Sequence, residues 1–472
     1  MGNERAGWER ATRGRNDAAM GLSIAIVGSG PSGFYTVESA LEKWPDCTVD
    51  IIEKLPTPYG LIRYGVAPDH AKTKTVAKSY EKLALDPRVR FFGNVEAGKD
   101  VSVAELRERY DAVVLATGCS TDKNLGIKGD DKKGVLGCAA FVNWYNGLPA
   151  ARDLRPPLDT ESAVVIGIGN VAVDVARVLV KTPEEMAPTD LMEHAARAIH
   201  AAPIRQVYMV GRRGPLHAQF TNVELREMGH LKDAAAIVDP AQLPETIPDD
   251  AKAEFNDRQL RLIQRNIDTL REFTKIAPGA RRKRVHFVFY ANPVEILGGE
   301  RVTGVRFEKT KVEKGRATGT GEFFEIPCGL VIPAIGYYSL PVPGVPWEGG
   351  KAINKEGRIE PGLYCVGWIK RGPSGVIGTN KPDGDAAAEQ IAADTGGTGA
   401  GKPGRAGLES LLAARKVRVV GFADWKRIEA AEAARATPPC PRRKFATVAE
   451  MLAALDGAGT GSAPPKIAAQ AN

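Results

Sequence analysis

Two glycine-rich dinucleotide-binding motifs in one chain constrain its fold more than any other feature of the sequence. The first, at 28–33 (Gly-Ser-Gly-Pro-Ser-Gly), follows the apolar run 24–27, and the second, at 167–172 (Gly-Ile-Gly-Asn-Val-Ala), follows the apolar run 163–166. Each motif therefore stands between a strand-like run and a helix-like run, which is the context in which it binds a dinucleotide. The pair predicts two βαβ units that hold two nucleotides.

Each of the three small-residue positions of the motif has its own structural role. In the first copy Gly28 permits the tight turn, Gly30 lets the backbone approach a pyrophosphate, and Gly33 lets the helix pack on the strand. The second copy has Gly169 and Ala172 at the two later positions. The helix that follows presents the positive end of its dipole to two negatively charged phosphates.

The residues at the end of the next strand predict which ribose each unit holds. In the first unit the strand-like run 48–52 ends at Glu53, which is placed to accept hydrogen bonds from a ribose 2′-hydroxyl. In the second unit the run 206–210 is followed by Gly211, Arg212 and Arg213. One arginine–phosphate contact of about 2.7 kcal/mol gives roughly 100-fold preference for NADP over NAD. The alternative, an arginine pair that is only a solvated strand end, stays open.

Composition indicates an ordinary globular chain of two or three domains. The 472 residues are 43% hydrophobic and carry a net charge of +7, which favours acidic partners without specifying nucleic acid. The sequence contains no nucleic-acid-binding module and no apolar run of transmembrane length, so neither nucleic-acid binding nor a membrane span is predicted. The six cysteines are scattered singly without a CxxC pair, which predicts no metal site, no redox-active dithiol and a cytoplasmic location.

Secondary structure is predicted more coarsely. Further strand-like runs lie at 89–92, 112–116, 285–290, 304–307, 330–332 and 362–368. The stretch 240–273 is predicted to be helical, 396–407 to be a flexible loop, and residues 1–20 and the tail after 457 to be disordered. The sequence alone does not show where the last strand docks.

Several longer segments together resemble the adrenodoxin reductase family of ferredoxin–NADP⁺ reductases, from about residue 23 to about 455. The segments that carry the resemblance are 58–70, 169–174, 211–216, 224–228 and 367–377. The resemblance implies an α/β fold of two Rossmann-like domains, with the NADP domain inserted in a split FAD domain. The implied boundaries are 21–119 and 334–472 for the FAD domain and 120–333 for the NADP domain.

The resemblance also implies an activity and a set of cofactor contacts. FAD would exchange a hydride with NADPH and single electrons with an acidic ferredoxin or adrenodoxin-like iron–sulfur protein. The implied FAD contacts, beyond the first motif, are Ser32, Glu53, Leu61, Ala97, Trp368, Val376 and Ile377. The implied NADP contacts, beyond Gly169, are Asn170, Val171, Ala172, Arg212, Arg213, Glu224 and Gly375, the last as a glycine that leaves nicotinamide free to stack on flavin.

By the same resemblance His70 lies beside the flavin and works with an acid, for which Glu227 is the candidate. The two are predicted to position the site or to supply a proton to reduced flavin. Plainer interpretations stay open: Trp368 as a core aromatic residue, and His70 as a loop-capping histidine without a kinetic role.

A basic docking surface for the acidic partner is expected. Its candidates are Arg258, Arg261 and Arg265; 281–284; Lys370 and Arg371; and 442–444. A monomer is expected, in the cytoplasm or, in a eukaryote, the mitochondrial matrix. Three alternative functions share some of these features. They are the glutamate synthase small-subunit class, an NADPH diaphorase or quinone reductase without a protein acceptor, and a nucleotide-binding scaffold without catalysis. The first lacks its cysteine-ligated clusters here, and intact site residues argue against the third.

Overall fold

The computed structural model describes residues 21–457, so the predictions for 1–20 and for the tail after 457 lie outside the described residues. The strands are β1 (Ser23–Val27), β2 (Thr48–Glu53), β3 (Val89–Gly93), β4 (Ala112–Leu115), β5 (Thr121–Asp122), β6 (Ser162–Ile166), β7 (Gln206–Val210), β8 (Ala234–Val238), β9 (Lys283–Val288), β10 (Ala291–Leu297), β11 (Gly304–Glu313), β12 (Arg316–Pro327), β13 (Leu330–Pro333), β14 (Tyr337–Tyr338), β15 (Trp347–Glu348), β16 (Lys351–Ala352), β17 (Arg358–Glu360) and β18 (Leu363–Cys365).

Helices connect and cover these strands. They are α1 (Pro31–Lys43), α2 (Leu61–Tyr64), α3 (Ala71–Lys74), α4 (Ala77–Ala84), α5 (Val103–Arg109), α6 (Cys138–Asn146), α7 (Asn170–Val180), α8 (Pro183–Met186), α9 (Glu193–Ala201), α10 (Asn222–Glu227), α11 (Asp249–Lys252), α12 (Asp257–Thr274), α13 (Trp368–Arg371), α14 (Lys381–Thr395), α15 (Gly404–Ala414), α16 (Phe422–Ala434) and α17 (Val448–Asp456). Short 3₁₀ turns lie at Pro149–Ala151, Pro215–His217, Met228–His230, Pro240–Gln242 and Ile377–Asn380.

A six-stranded sheet in the order β17-β18-β4-β1-β2-β3 is assembled from two distant parts of the chain. Its central strand β1 pairs in parallel with β2 and β4, and β18 joins β4 from the far end of the sequence. Alternate residues of the strands point into two separate apolar cores, one on each face of the sheet. We call this unit the split domain.

A second sheet, in the order β13-β6-β7-β9-β8, is entirely parallel and lies between the two parts of the first in sequence. Helices cover one of its faces, and the antiparallel sheet β10-β11-β12 packs over the other. We call this unit the inserted domain. The chain enters and leaves it through β5 and β14, which pair with each other.

The strands predicted from sequence are present, but three predictions of local structure were wrong or incomplete. The stretch 240–273 is not one helix, because Pro244 and Pro248 interrupt it before α12 begins. The loop predicted at 396–407 ends earlier, where α15 begins at Gly404. The strand at 304–307 extends into a long hairpin that periodicity did not indicate.

The first glycine of each fingerprint is required for the same reason in both sheets. Gly28 has φ +111°, and a Cβ on it would lie 2.5 Å from the carbonyl oxygen of Ala116. Gly167 has φ +143°, and a Cβ on it would lie 2.4 Å from the carbonyl oxygen of Ala334. In each domain the strand before the fingerprint therefore turns into its helix directly against the end of a neighbouring strand.

A matched pair of substitutions separates folding from binding in the second fingerprint. Gly167→Ala should lower the free energy of unfolding by about 1–3 kcal/mol, because the new methyl group collides with backbone in a left-handed conformation. Gly169→Ala should change it by less than about 1 kcal/mol, since the nearest atom to its Cβ is Gln219 Cβ at 3.9 Å. Urea unfolding without added nucleotide measures both. Equal losses would contradict this account of the turn.

Candidate functional site

The first fingerprint forms an open loop at the N-terminus of α1. A Cβ on Gly33 would lie 2.2 Å from the carbonyl oxygen of Gly28, whereas nothing lies within 4 Å of a Cβ on Gly30. Gly30 is the N-cap of α1 and no side chain caps the helix. The third glycine thus serves packing, and the second leaves uncapped amides facing open space, as a pyrophosphate requires.

Glu53 is held rigidly beside this loop. Its Oε2 accepts hydrogen bonds from the hydroxyl and the amide of Ser29 at 2.6 and 3.1 Å, and its Oε1 accepts from the amide of Leu55 at 3.1 Å. A carboxylate offers about four acceptor positions. One position therefore stays available for a ribose hydroxyl.

Several of the other predicted FAD residues lie in segments that approach the same loop from distant parts of the chain. Gly367, which precedes Trp368, approaches Ser32 so closely that a Cβ on it would lie 2.6 Å from Ser32 Cβ. Leu61 follows Gly60, whose added Cβ would lie 2.9 Å from Gly30 Cα. Val376 and Ile377 precede α14, which packs along α1, and Ala97 lies in the loop after β3.

Trp368 is half-buried, which does not fit the plain core aromatic residue that was its alternative. Its indole Nε1 donates to the carbonyl oxygen of Ser374 at 3.1 Å, and its ring centroid lies 6.3 Å from that of Tyr337. The indole thus fixes the exposed loop that carries Gly375.

Gly375 has a structural reason to be glycine besides the one expected from sequence. Its φ is +82°, and a Cβ on it would lie 2.6 Å from Thr379 Oγ1. Any side chain here strains the backbone whether or not nicotinamide binds. A bulky substitution at 375 would therefore not isolate a cofactor contact.

The second fingerprint is linked to a neighbouring helix of the same domain. Gly169 is the N-cap of α7, and Asn170 Oδ1 accepts from the amide of Thr221 at 2.7 Å. Thr221 in turn caps α10, which carries Glu224. The side-chain oxygen of Asn170 is therefore already hydrogen-bonded within the protein. The side chain of Ala172 is buried, so this residue could contact a nucleotide only through its backbone.

Arg212 and Arg213 follow β7 at the place that corresponds to Glu53 after β2. Arg212 is exposed and Arg213 half-buried. Neither forms an ion pair with a carboxylate in residues 21–457. Unlike Glu53, which is tied to the protein, both cations are free to hold an anion.

The two domains meet at a cluster of charged side chains that we call the junction cluster: Asp69 and His70 from the split domain, and Asp174, Arg177, Glu224 and Glu227 from the inserted domain. His70 Nε2 lies 3.0 Å from Glu227 Oε2 and 3.1 Å from Glu224 Oε2. The structure therefore brings the predicted pair His70 and Glu227 into contact. It also places Glu224, predicted as an NADP contact, beside them.

Arg177 lies at the centre of this cluster and is fully buried. Its guanidinium donates to both oxygens of Asp69, at 2.6 and 3.1 Å, and to Asp174 Oδ1 at 2.8 Å. Lys181 adds a bond of 2.7 Å to Asp69. No motif in the sequence points to these residues, but the charged pair Asp174 and Arg177 inside an otherwise apolar helix requires partners, and this was a usable signal.

His70 Nε2 has two competing neighbours. Arg177 Nη2 lies 2.7 Å away and can donate only to a neutral ring that has Nε2 as acceptor, whereas a protonated ring donates from Nε2 to Glu227. Burial alone would lower the pKa of His70, but the hydrogen bond to Glu227 and the charges of Asp174 and Glu224 outweigh it and raise that pKa. The junction cluster can thus hold or release a proton.

The carboxyl group of Glu224 can also hold or release a proton near neutral pH. Burial, followed by the charge of Asp174, raises the pKa of its carboxyl group from 4.5 to about 7. Glu227 is different, because the hydrogen bond to His70 and the charge of Arg177 outweigh burial and lower its pKa. Two adjacent carboxyl groups are therefore poised in different protonation states near neutral pH.

Comparison with known proteins places the chain in a family. Residues 22–226 match the family described as pyridine nucleotide-disulphide oxidoreductase. NADPH-ferredoxin reductase FprA of Mycobacterium tuberculosis is 42% identical over 451 residues, covering 91% of this chain and 98% of that protein. Mitochondrial NADPH:adrenodoxin oxidoreductase of Homo sapiens is 42% identical over 452 residues, covering 92% and 91%. The chain belongs to the family of NADPH-ferredoxin and NADPH:adrenodoxin reductases.

Solved structures of this family agree with the fold. The structure of Mycobacterium tuberculosis FprA in complex with NADPH superposes with a TM-score of 0.87 at 41% identity, covering 93% of this chain and all of that one. As in the family, two Rossmann-like domains are combined by insertion. The six cysteines of this member are all free.

The protonation of Glu224 predicts how stability depends on pH. Because its pKa is raised by folding, the folded state binds more protons than the unfolded state, and stability falls as pH rises from about 5 to 8. Glu224→Gln should reduce that fall by about 1–3 kcal/mol. Urea unfolding across this range measures it, with the exposed Glu348→Gln as control. A pH profile unchanged by Glu224→Gln would contradict the assignment.

Proposed function

We propose that this chain is an FAD-dependent ferredoxin–NADP⁺ reductase, which exchanges a hydride with NADPH and single electrons with an iron–sulfur protein. The observation that carries the proposal is the junction cluster, where the loop after the first fingerprint unit contacts the helices that follow the second. One electron path between two nucleotides requires both to reach one place. Membership of the reductase family supports the same activity.

The residues present fit both cofactors. For FAD, the open space at Gly30, the uncapped α1 and the remaining acceptor position of Glu53 suit a pyrophosphate and an unphosphorylated ribose. For NADP, the open Gly169 loop, the uncapped α7 and the two unpaired arginines suit a pyrophosphate and a ribose 2′-phosphate. Gly28, Gly30, Ser32, Gly33, Glu53, Leu61, Ala97, Trp368, Val376 and Ile377 would hold FAD, and Gly169, Asn170, Val171, Ala172, Arg212, Arg213, Glu224 and Gly375 would hold NADP.

When bound, the flavin supplies the conversion of two-electron into one-electron transfer. The chain's own residues orient the reactants and manage charge. Arg177, fixed by Asp69 and Asp174, positions α7 and α10 against the His70 loop. His70 and Glu227 hold a proton at Nε2 of the imidazole, so we assign them to positioning and proton supply.

Three of the four candidate docking clusters contain cations that bind carboxylates of the protein, although Arg281 and Arg284 of the cluster 281–284 bind backbone carbonyl groups and form no ion pair within residues 21–457. Lys370 and Arg371 both bind Asp383, Arg282 binds Asp233, Arg442 binds Glu429, Arg443 binds Glu193, and Lys444 is buried. Arg258, Arg261 and Arg265 are exposed on one face of α12 and form no ion pair within residues 21–457. We call these three the α12 stripe.

The position of the α12 stripe also suits an electron acceptor. Leu262 lies among the three arginines and is 45% exposed, which adds an apolar contact to a basic surface. Asn222, the first residue of α10, donates to the carbonyl oxygen of Arg265 at 3.1 Å. Since α10 carries Glu224 and Glu227, the stripe is one helix away from the junction cluster. We propose it as the docking site of an acidic iron–sulfur protein.

Other features of the proposal stay predictions. These are a monomeric state, a cytoplasmic or mitochondrial-matrix location, and the domain boundaries 21–119 and 334–472 against 120–333. No helix in the described part of the chain is long and apolar enough to cross a membrane. Reduction of quinones or dyes requires only the same flavin, so it is the outcome expected if no ferredoxin is accepted.

Cofactor selectivity tests the nucleotide assignments. The purified protein should be yellow and bleached by NADPH, and kcat/KM should favour NADPH over NADH by about 100-fold or more. Arg212→Ala with Arg213→Ala should remove most of that preference and leave NADH turnover unchanged. Arg205→Ala, an exposed arginine before the other end of β7, is the control. A colourless protein, or equal use of NADH, would contradict the proposal.

Salt dependence tests the docking site. Reversing the middle charge of the stripe, Arg261→Glu, should slow ferredoxin reduction about fivefold at low ionic strength and have little effect at 0.5 M salt, where charges are screened. Ferricyanide reduction should not change. Arg281→Glu makes the same charge change in another candidate cluster and should retain normal rates. Equal slowing by both variants would remove the α12 stripe from the proposal.

A further inference from the structure

A cleft lined by three arginines lies between the end of β7 and the hairpin of β11 and β12. Its volume is about 410 Å³, and its walls include Arg212, Arg213, Asn292, Thr310 and Arg316. Among the described residues, those that line it include no carboxylate. Arg316 comes from the hairpin, more than a hundred residues after the arginine pair in sequence, and no fingerprint points to it.

The hairpin is built to reach this place. β10 pairs with β11 only as far as Lys309, so that beyond this point β11 and β12 continue as a two-stranded ribbon. A register shift between Glu308 and Thr310 interrupts the pairing where the ribbon begins. Such bulges bend a strand and redirect its side chains.

Hydrogen bonds attach the base of the ribbon to the loop of the arginine pair. Thr310 Oγ1 donates to the carbonyl oxygen of Arg212 at 2.7 Å, and the amide of Thr310 donates to the carbonyl oxygen of Tyr290 at 2.8 Å. The amide of Tyr290 donates in turn to the carbonyl oxygen of Arg213 at 3.4 Å. The base of the hairpin and the loop of the arginine pair are therefore held together by hydrogen bonds.

The tip of the ribbon is a tight turn with a fixed position. Lys314 and Gly315 both have positive φ, +48° and +71°, which brings Glu313 opposite Arg316. A Cβ on Gly315 would lie 2.8 Å from Glu254 Oε2, so the turn packs closely against that residue. Glu254 is itself hydrogen-bonded to His217, at 3.1 Å.

Arg316 has no anionic partner within the described residues. Glu313, which lies opposite it in the hairpin, pairs with Lys311 instead, at 2.8 Å. None of the three guanidinium groups of this cleft forms an ion pair with a carboxylate within residues 21–457; the carboxylates of Glu254 and Glu308 lie instead against the cleft glycines Gly315 and Gly319. These cations repel one another. A ligand with more than one negative charge that binds between them would remove this repulsion.

We propose that Arg316 is a third ligand of the 2′-phosphate of NADP, supplied by the β11–β12 hairpin, and that it contributes to the selectivity for NADP over NAD. The inference rests on the proposed function, because it assigns the ligand of the same site. A phosphate monoester carries close to two negative charges and three acceptor oxygens, which matches three unpaired guanidinium groups better than two.

Equilibrium binding to the oxidised, FAD-containing protein tests this without measuring turnover. In calorimetric titrations Arg316→Ala should weaken NADP⁺ binding about tenfold and leave NAD⁺ binding unchanged, since only NADP⁺ carries the 2′-phosphate. Arg316→Lys should recover part of the loss, because lysine keeps the charge but not the two-pronged geometry.

The control variant lies in the same turn. Lys314→Asn also removes one positive charge, its side chain does not line the cleft, and asparagine followed by Gly315 suits this turn. It should bind NADP⁺ within about twofold of the parent protein. An unchanged urea midpoint in both variants shows that the hairpin is folded.

The outcomes distinguish this inference from the proposed function. If Arg212→Ala weakens NADP⁺ binding selectively but Arg316→Ala does not, the third ligand is wrong and the cofactor site stands. If Arg316→Ala weakens NADP⁺ and NAD⁺ equally, or Lys314→Asn matches its effect, a specific phosphate contact is also excluded. If the parent protein does not prefer NADP⁺ to NAD⁺, the proposed selectivity itself fails.

Discussion

The buried guanidinium of Arg177 is the interaction on which the relation between the two domains depends. It lies on a helix of the inserted domain and binds both oxygens of Asp69 on a loop of the split domain. Burial alone would raise the pKa of Asp69, but Arg177 and Lys181 lower it, so the carboxylate stays charged. Removing one partner of such a pair leaves an uncompensated buried charge, which costs about 3–5 kcal/mol. This cost keeps Arg177 and Asp69 paired. Because Arg177 lies on α7, the pair also holds the second fingerprint loop, at the start of α7, in place relative to the split domain.

The same βα turn is used twice, and the difference between the two sites is confined to the end of one strand. Glu53 is held by three hydrogen bonds from its own domain and has little freedom to adapt. The guanidinium groups of Arg212 and Arg213 have no carboxylate partner within residues 21–457 and depend on the ligand for one. A rigid acceptor suits a cofactor that stays bound, and free cations suit a nucleotide that must enter and leave in each turnover.

Local pattern was sufficient for the parts of the fold that are contiguous in sequence. The fingerprints, Glu53, the arginine pair and the strands β1 to β4 each follow from a short window. His70 and Glu227 required a resemblance to a family, because 157 residues separate them in the chain. Nothing local indicated that Arg316 reaches Arg212, since a bulge and a turn far from the fingerprint bring it there. The strand β8 consists mostly of alanine, which favours helices, and only its position beside β9 makes it a strand.

The basic residues of the chain differ in whether they have a carboxylate partner within the protein. Many arginines and lysines bind carboxylates of the protein, as the exposed Arg282 and the half-buried Arg371 and Arg443 do. The arginine cleft and the α12 stripe lack such partners in the described structure, and the segment from β7 to α12 connects the arginine pair to the stripe in sequence. One set can neutralise a small phosphate and the other a protein surface. Because the two sets share no residue, a charge change in the stripe removes no proposed ligand of the nucleotide phosphate.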